Sequence, residues 1–228
     1  MPRTARRVVP GSPHHITQRG TDRQTVFHSL NDRRVYLDLL KENSREGGVR
    51  ILAYCLMRNH IHLVAVPEEV ESLAVCLRRT HGRYAQYLNA RRLRSGHLWQ
   101  NRFYSCAMEE EHLWNAIRYV EQNPLRAGLV TNACAYRWSS AAAHLSGKDR
   151  THLLDLDFWC QSGGADRWRD LLTGSIGEAE MKRLRQATYS GTPLGTEEFV
   201  AKSKVQALAG SARKKAFAGG VGIEGRNY

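Results

Sequence analysis

The sequence predicts an α+β fold of the ferredoxin-like, split βαβ type: an antiparallel sheet with helices on one face, followed by a C-terminal helical extension. The first observation is the order of the predicted elements, which is strand, helix, strand, strand, helix, strand and a further helix. The second is that apolar side chains recur every two residues in the strand segments and at helical spacing between them. The third is the length of 228 residues, which suits one core with an appended segment. We therefore expect a domain at residues 1–145 and an extension at 146–228.

The first half of the chain predicts a strand, a helix and a hairpin. Residues 29–45 have apolar positions at helical spacing, either Ser29 or Asn31 can cap the helix, and two glycines at 47–48 end it. Only Arg58-Asn59 separates two apolar runs, which predicts an antiparallel hairpin. The predicted strands are 14–20, 49–57 and 60–66.

The second half predicts two helices around a strand, and then weaker helices. Residues 69–93 form a long amphipathic pattern. Residues 109–122 begin with acidic side chains, which the helix dipole favours, and Asn123-Pro124 should end that helix. The remaining predicted elements are a strand at 98–108, weaker helices at 178–186 and 196–208, and a basic, glycine-rich tail at 211–228 that we expect to be mobile.

The charge balance points to a polyanionic partner. Lys and Arg total 34 against 22 Asp and Glu, a net charge of +12, which favours nucleic acid first. No apolar run approaches the roughly 18 residues of a membrane span and the N-terminus lacks the apolar stretch of a signal peptide, so we expect a cytoplasmic, nucleoid-associated protein. The five cysteines are odd in number and form no CxxC pair, which argues against a disulfide framework and against a Cys-ligated zinc site.

Two histidines, His60 and His62, lie two residues apart on a predicted strand. The strand period places both imidazoles on one face of the sheet, close enough to share a metal, and turns Ile61 into the core on the other face. A His-x-His pair is common, however, and a purely structural role for it stays open at this point.

A third metal ligand is expected from the last helix of the split βαβ unit. Positions four apart share a helix face, so Tyr119 and Asn123 are neighbours, with Gln122 as the rival ligand. Two imidazoles and one amide oxygen suit Mg²⁺ or Mn²⁺ bound to a phosphate, beside which the tyrosine hydroxyl could attack phosphorus. The alternative is that Tyr119 packs into the core and Asn123 caps the helix.

Four motifs carry a resemblance to a known family. In this order they resemble those of the REP-associated tyrosine transposases, relatives of the single-tyrosine HUH transposases of small insertion sequences. The resemblance runs from His14 to Ser140 and more loosely to Gly195. The motifs are YCLMRNHIHLV at 54–64, HLWQNRF at 97–103, YVEQNPLRAGLV at 119–130 and YRWSS at 136–140.

The resemblance implies a metal-dependent enzyme that nicks single-stranded DNA beside short palindromic hairpins, the REP elements. It implies His60 and His62 as metal ligands, Asn123 as the third ligand and Tyr119 as the nucleophile that forms a 5′-phosphotyrosine. The wider group often has Gln at the position of Asn123, so this sequence departs from the pattern there. The resemblance fits a monomer or a homodimer. A non-catalytic hairpin-binding protein and a plain phosphodiester hydrolase are the competing hypotheses.

Basic and aromatic residues elsewhere are candidates for DNA contact. Clustered arginines suit phosphates and aromatic rings can stack on bases, although Trp99 could equally belong to the core. His14 and His15 begin a strand near the expected site, where we expect surface histidines. The predicted DNA contacts are Arg3, Arg6, Arg7, Arg78, Arg79, Arg83, Trp99 and Arg102.

Overall fold

A four-stranded antiparallel sheet forms the centre of the protein in the computed structural model, which describes residues 7–174 and 176–204. The strand order is β2-β3-β1-β4, with β1 paired to β3 and to β4 and β2 paired to β3. This is the order that a split βαβ unit requires, so the predicted fold class is confirmed. The strands are β1 His14–Arg19, β2 Val49–Leu56, β3 His60–Pro67 and β4 Tyr104–Ala107.

Helices connect and follow the strands. Residues 21–23 and 133–135 form 3₁₀ turns, and residues 197–204 are also helical. No helix within the described ranges combines the length and apolar character that crossing a membrane would require. The helices are α1 Leu30–Glu46, α2 Ser72–Arg91, α3 Glu110–Glu121, α4 Asn123–Arg126, α5 Ala141–Ser146, α6 Leu156–Gln161, α7 Gly164–Thr173 and α8 Glu178–Ser190.

Helices α1 and α2, the two helices of the split βαβ unit, pack on one face of the sheet. Ile16 and Ile61 from the strands join Tyr36 and Tyr84 from the two helices in one buried cluster. Of the two cap candidates, Ser29 caps α1 by accepting a hydrogen bond from the backbone of the residue three positions on, whose carboxylate accepts in return.

The opposite face of the sheet is also covered, by α3 and by the C-terminal extension. Val64 of β3 shares a second buried cluster with Tyr119 of α3 and with Trp159, Trp168 and Leu184 of the extension. The prediction of helices on one face therefore holds for the split βαβ unit, and the second face gives the chain a second core. Because both faces are covered, alternate residues of each strand are buried in opposite directions.

Some predicted bounds differ from the structure. The strand predicted at 98–108 is a regular strand only over Tyr104–Ala107, with an isolated bridge between Trp99 and Gly20 before it. Leu98 and Phe103 are buried from irregular backbone and pack with the α1–α2 core. Helix α1 ends as expected, with Gly48 in the left-handed region at φ 60°, which glycine adopts without strain. The tail at 211–228 lies outside the described residues.

Candidate metal and tyrosine site

The two histidines of the hairpin lie side by side on the sheet face that α3 covers. The centroids of the His60 and His62 rings are 5.0 Å apart, and the ring planes are nearly perpendicular. Ile61 between them is fully buried in the α1–α2 core. The predicted alternation along β3 is thus confirmed, and it follows from the two-residue period of a strand.

The orientation of His60 is fixed by its neighbour Asn59. The Asn59 amide nitrogen donates to the carbonyl of Arg23 at 3.2 Å, which turns the Asn59 carbonyl oxygen toward His60 Nδ1 at 2.7 Å. His60 Nδ1 must then carry the hydrogen, because an amide oxygen only accepts. Burial, and then the positive charge of Arg19, lower the pKa of His60 to about 4, so the ring is neutral at pH 7 and its Nε2 keeps a lone pair.

His62 is held by a third histidine, His15 of β1. His15 Nε2 and His62 Nδ1 are 3.1 Å apart, and the two rings are nearly parallel with centroids 5.3 Å apart. Burial lowers the pKa of His15 to about 3 and lowers that of His62 well below its ordinary value, with His15 and His60 adding to the effect. Three neutral imidazoles therefore form one row on the sheet.

The expectation that His14 and His15 are surface histidines is wrong. Their exposed fractions are 0% and 1%. The two rings point to opposite faces of the sheet, since they are adjacent on a strand, and both faces are covered. Only His15 joins the row of histidines.

Helix α3 brings Tyr119 to this row. The ring centroid of Tyr119 lies 5.6 Å from that of His62 and 5.5 Å from that of His15, edge-on in both cases. Tyr119 also packs into the second core and is 4% exposed, so the site and core roles weighed from the sequence coexist. Its hydroxyl oxygen accepts a hydrogen bond from Nε of Arg185, 3.1 Å away.

Guanidinium groups surround the tyrosine. The Arg126 guanidinium lies 4.4 Å from the centre of the Tyr119 ring, and that of Arg185 lies 5.5 Å away. Arg19 stands opposite His60 in the strand register. Sequence reasoning missed these three arginines. The register could have indicated Arg19, and the motif containing Tyr119 could have indicated Arg126, but no sequence signal places Arg185 of α8 here.

The two candidates for the third ligand have different surroundings. Gln122 is buried, and its amide nitrogen donates to the carbonyls of Leu172 and Gly174 at 2.8 and 2.9 Å, which ties it to the extension. Asn123 donates to the carbonyls of Tyr119 and Val120 at 3.0 and 3.3 Å. These hydrogen bonds tie the Asn123 amide nitrogen to the last turn of α3, and the Asn123 amide oxygen faces away from the two carbonyls.

The histidines of the candidate site can hold a hard divalent cation only if an amide oxygen or a bound substrate supplies further ligands. Across residues 7–174 and 176–204, no group of three or more His, Cys, Asp or Glu side chains is placed to hold a metal. His60 nevertheless presents a bare Nε2 beside His62. Two neutral imidazoles with open positions suit an ion that is completed by an amide oxygen and by phosphate.

The predicted DNA contacts on α2, together with Trp99, lie on the sheet face opposite the tyrosine. Helix α2 packs on the opposite face of the sheet, where Arg79 pairs with Glu46 at 3.1 Å and Arg83 pairs with Glu42. Trp99 packs among the aromatic rings there and donates to the His81 carbonyl at 3.1 Å. Arg78 and Arg102 are exposed and Arg7 is half-buried, whereas Arg3 and Arg6 lie outside the described residues.

Comparison with known proteins agrees with the fold. A structure of a REP-associated tyrosine transposase bound to a REP hairpin aligns with a TM-score of 0.55 and 17% identity, over 69% of this chain and 90% of that one. A candidate transposase from Deinococcus radiodurans aligns with a TM-score of 0.32 and 18% identity, over 53% of this chain and 97% of that one. No curated protein matches.

The family model for IS200-like transposases matches residues 9–123, which is half of the chain. The matched segment contains His60, His62, Tyr119 and Asn123. The resemblance noted from the sequence motifs is thereby confirmed, and the chain belongs to the IS200-like transposase family, a family of DNA-processing enzymes.

Proposed function

We propose that the chain is a metal-dependent endonuclease and strand transferase that cuts single-stranded DNA beside REP-type hairpins through a covalent 5′-phosphotyrosine. The observation that carries the proposal is the meeting of Tyr119 from α3 with His62 from β3, whose ring centroids are 5.6 Å apart. A nucleophile beside a pair of imidazole ligands is an arrangement that suits metal-assisted phosphoryl transfer by a tyrosine. Membership of the transposase family supports DNA as the substrate.

Tyr119 is the proposed nucleophile. Its oxygen forms a bond to the scissile phosphorus while the bond from phosphorus to the 3′ oxygen breaks. The phenol gives its proton to solvent, and the departing 3′ oxygen takes one up. Arg126 and Arg185, which lie around the tyrosine ring, supply positive charge where the phosphate must be held.

His60 and His62 would hold a divalent ion through their Nε2 atoms, with the oxygen of Asn123 as the third ligand. Such an ion, Mg²⁺ or Mn²⁺, neutralises the scissile phosphate and polarises its oxygens. The chain's own contribution is orientation, since Asn59 fixes the ring of His60. Asn123 is preferred to Gln122 because the Gln122 amide is anchored to the end of α7.

The proposed substrate follows from the fold and the charge. The solved relative with the same fold is bound to a REP hairpin, and this chain carries a net charge of +12. We extend hairpin recognition to this chain, with Arg19 near the histidines and with Arg78 and Arg102 as exposed phosphate contacts. Tyr119 meets the histidines of its own chain, and the proposal keeps both a monomer and a homodimer.

The test is formation of a covalent protein–DNA adduct. The full chain is incubated with Mn²⁺ and a single-stranded hairpin DNA, labelled at the 3′ end in one arm and at the 5′ end in the other. We expect a denaturation-resistant adduct with the 3′ label only, because a 5′-phosphotyrosine retains the 3′ portion of the strand. Tyr119→Phe should abolish the adduct and keep DNA binding. The matched control is Tyr189→Phe, since Tyr189 is 50% exposed on α8.

The other outcomes separate the competing functions. An adduct that persists in Tyr119→Phe would overturn the nucleophile. Binding without cleavage in the wild type would identify a non-catalytic hairpin-binding protein. Cleavage without an adduct would identify a plain phosphodiester hydrolase, in which Tyr119 is structural.

A further inference from the structure

A chain of three hydrogen-bonded side chains runs from helix α8 to the candidate metal pair. The hydroxyl of Thr188 lies 2.7 Å from His15 Nδ1, and His15 Nε2 lies 3.1 Å from His62 Nδ1. Thr188 and His15 are each 1% exposed, and His62 is 7% exposed. Thr188 follows His15 by 173 residues and belongs to the C-terminal extension, outside the segment that the family model matches.

The hydroxyl of Thr188 fixes the direction of both hydrogen bonds in the series Thr188–His15–His62. Its hydroxyl oxygen lies 2.7 Å from the carbonyl oxygen of Leu184. A carbonyl only accepts, so the single hydroxyl hydrogen points to Leu184 and the Thr188 oxygen is left as an acceptor for His15. His15 Nδ1 must therefore carry a hydrogen and donate it to Thr188.

The consequence passes through His15 to His62. An uncharged imidazole carries one hydrogen, so His15 Nε2 is bare and can only accept. The hydrogen bond between His15 and His62 then requires the hydrogen to lie on His62 Nδ1. His62 Nε2 keeps its lone pair, which is the state that a metal-binding imidazole needs.

We propose that Thr188 and His15 are positioning residues that hold His62 in the tautomer competent for metal binding. This inference rests on the proposed function, because it concerns the ion that His60 and His62 would share. Asn59 holds His60 in the same tautomer from the other side. The tautomer of His60 is thus set by the hairpin turn, and the tautomer of His62 is set independently by the C-terminal extension.

The test reads the tautomer directly in the metal-free full chain. Long-range ¹H–¹⁵N correlation spectra of the ¹⁵N-labelled protein distinguish a bare ring nitrogen from a protonated one, and single histidine variants assign the signals. In the wild type we expect His62 with a protonated Nδ1 and a bare Nε2. In Thr188→Val the acceptor for His15 Nδ1 is lost, so the hydrogen of His15 should move to its Nε2. His15 Nε2 then donates to His62 Nδ1, so the hydrogen of His62 should move to His62 Nε2. Thr188→Ser keeps the hydroxyl and should match the wild type.

Mn²⁺ affinity provides the second measurement, by calorimetry without DNA. Thr188→Val should weaken binding by roughly 10- to 100-fold, as loss of an outer-shell partner does, whereas Thr188→Ser should stay close to the wild type. A wild-type His62 protonated at Nε2 would overturn the inference even if the valine variant failed to fold. So would an unchanged tautomer or unchanged Mn²⁺ affinity in Thr188→Val. If the wild type bound no Mn²⁺ at all, the metal part of the proposed function would fail, and the inference with it.

Discussion

The carboxylate of Glu121, two residues after the tyrosine, is predicted to be a main anchor of the tyrosine helix. Glu121 is fully buried. It accepts hydrogen bonds from the hydroxyl of Ser140, from His144 Nδ1 at 2.6 Å and from Trp168 Nε1 at 2.9 Å. The partners lie on or beside α5 and α7, so one side chain joins the end of α3 to the C-terminal helices.

Replacement of Glu121 by alanine should destabilise the protein by about 3–5 kcal/mol, because three buried donors lose their shared acceptor. Each donor left without an acceptor costs about 1–3 kcal/mol. Ser140 recovers part of its share because its hydroxyl also lies 3.4 Å from the Tyr54 carbonyl. Glu121→Gln should cost less, because its amide can donate to Ser140 and to His144 while its oxygen accepts from Trp168.

The assay is urea unfolding at pH 7, followed by tryptophan fluorescence, with Glu111→Ala as the matched control. Glu111 lies on the same helix with a side chain 65% exposed, and its carboxylate lies 3.0 Å from His112 Nε2. Its removal should cost below about 1 kcal/mol. A loss below about 1 kcal/mol for Glu121→Ala, or equal losses in the alanine and control variants, would refute the anchoring role.

Two further predictions concern charge and pH. Arg185→Gln should slow adduct formation by roughly tenfold or more with little change in DNA affinity, because the guanidinium that meets the proposed nucleophile, Tyr119, is lost. Arg183→Gln, the same charge change on the same helix, is the control, and equal rates in both variants would contradict the prediction. Burial lowers the pKa of His14 to about 4, although a hydrogen bond to the backbone of Ser12 acts in the opposite direction. His14 therefore contributes its full stabilisation of the folded state above pH 6.5, and this contribution is lost as the pH falls toward 4. The expected loss of stability is on the order of 3 kcal/mol. Urea unfolding at pH 7, 5.5 and 4 should show a smaller fall in the free energy of unfolding for His14→Gln than for the wild type. The same fall in both proteins would contradict the prediction.

The hairpin of β2 and β3 could be predicted because two apolar runs of strand length adjoin across a two-residue connection. His60, Ile61 and His62 must alternate in direction once β3 exists, and a hairpin partner turns the apolar residue inward. For the N-cap of α1 the sequence left Ser29 and Asn31 open, and the structure selects Ser29, which accepts a hydrogen bond from the backbone of Asp32. The structure also brings Tyr119 to the histidines, and its chemical role stays a prediction.

The covering of the second sheet face could not be predicted from these patterns. Strand β1 is mostly polar in sequence and yet buried on both faces, because its second face is covered by side chains of α3 and α8, far along the chain. For the same reason β4 was predicted too long: Leu98 and Phe103 are apolar because they fill the α1–α2 core, and no strand is needed to bury them.

The row of histidines shows that the candidate site extends beyond the domain boundary predicted from the sequence. The expected limit at residue 145 separates the family-like motifs from the extension, and every candidate ligand lies before it. Yet Arg185 meets the hydroxyl of Tyr119, and Thr188 meets His15, which faces His62. Helix α8 therefore contacts the candidate nucleophile directly and one candidate metal ligand through His15. We infer that this helix would have to change together with the tyrosine and the histidines in any variant that keeps their geometry.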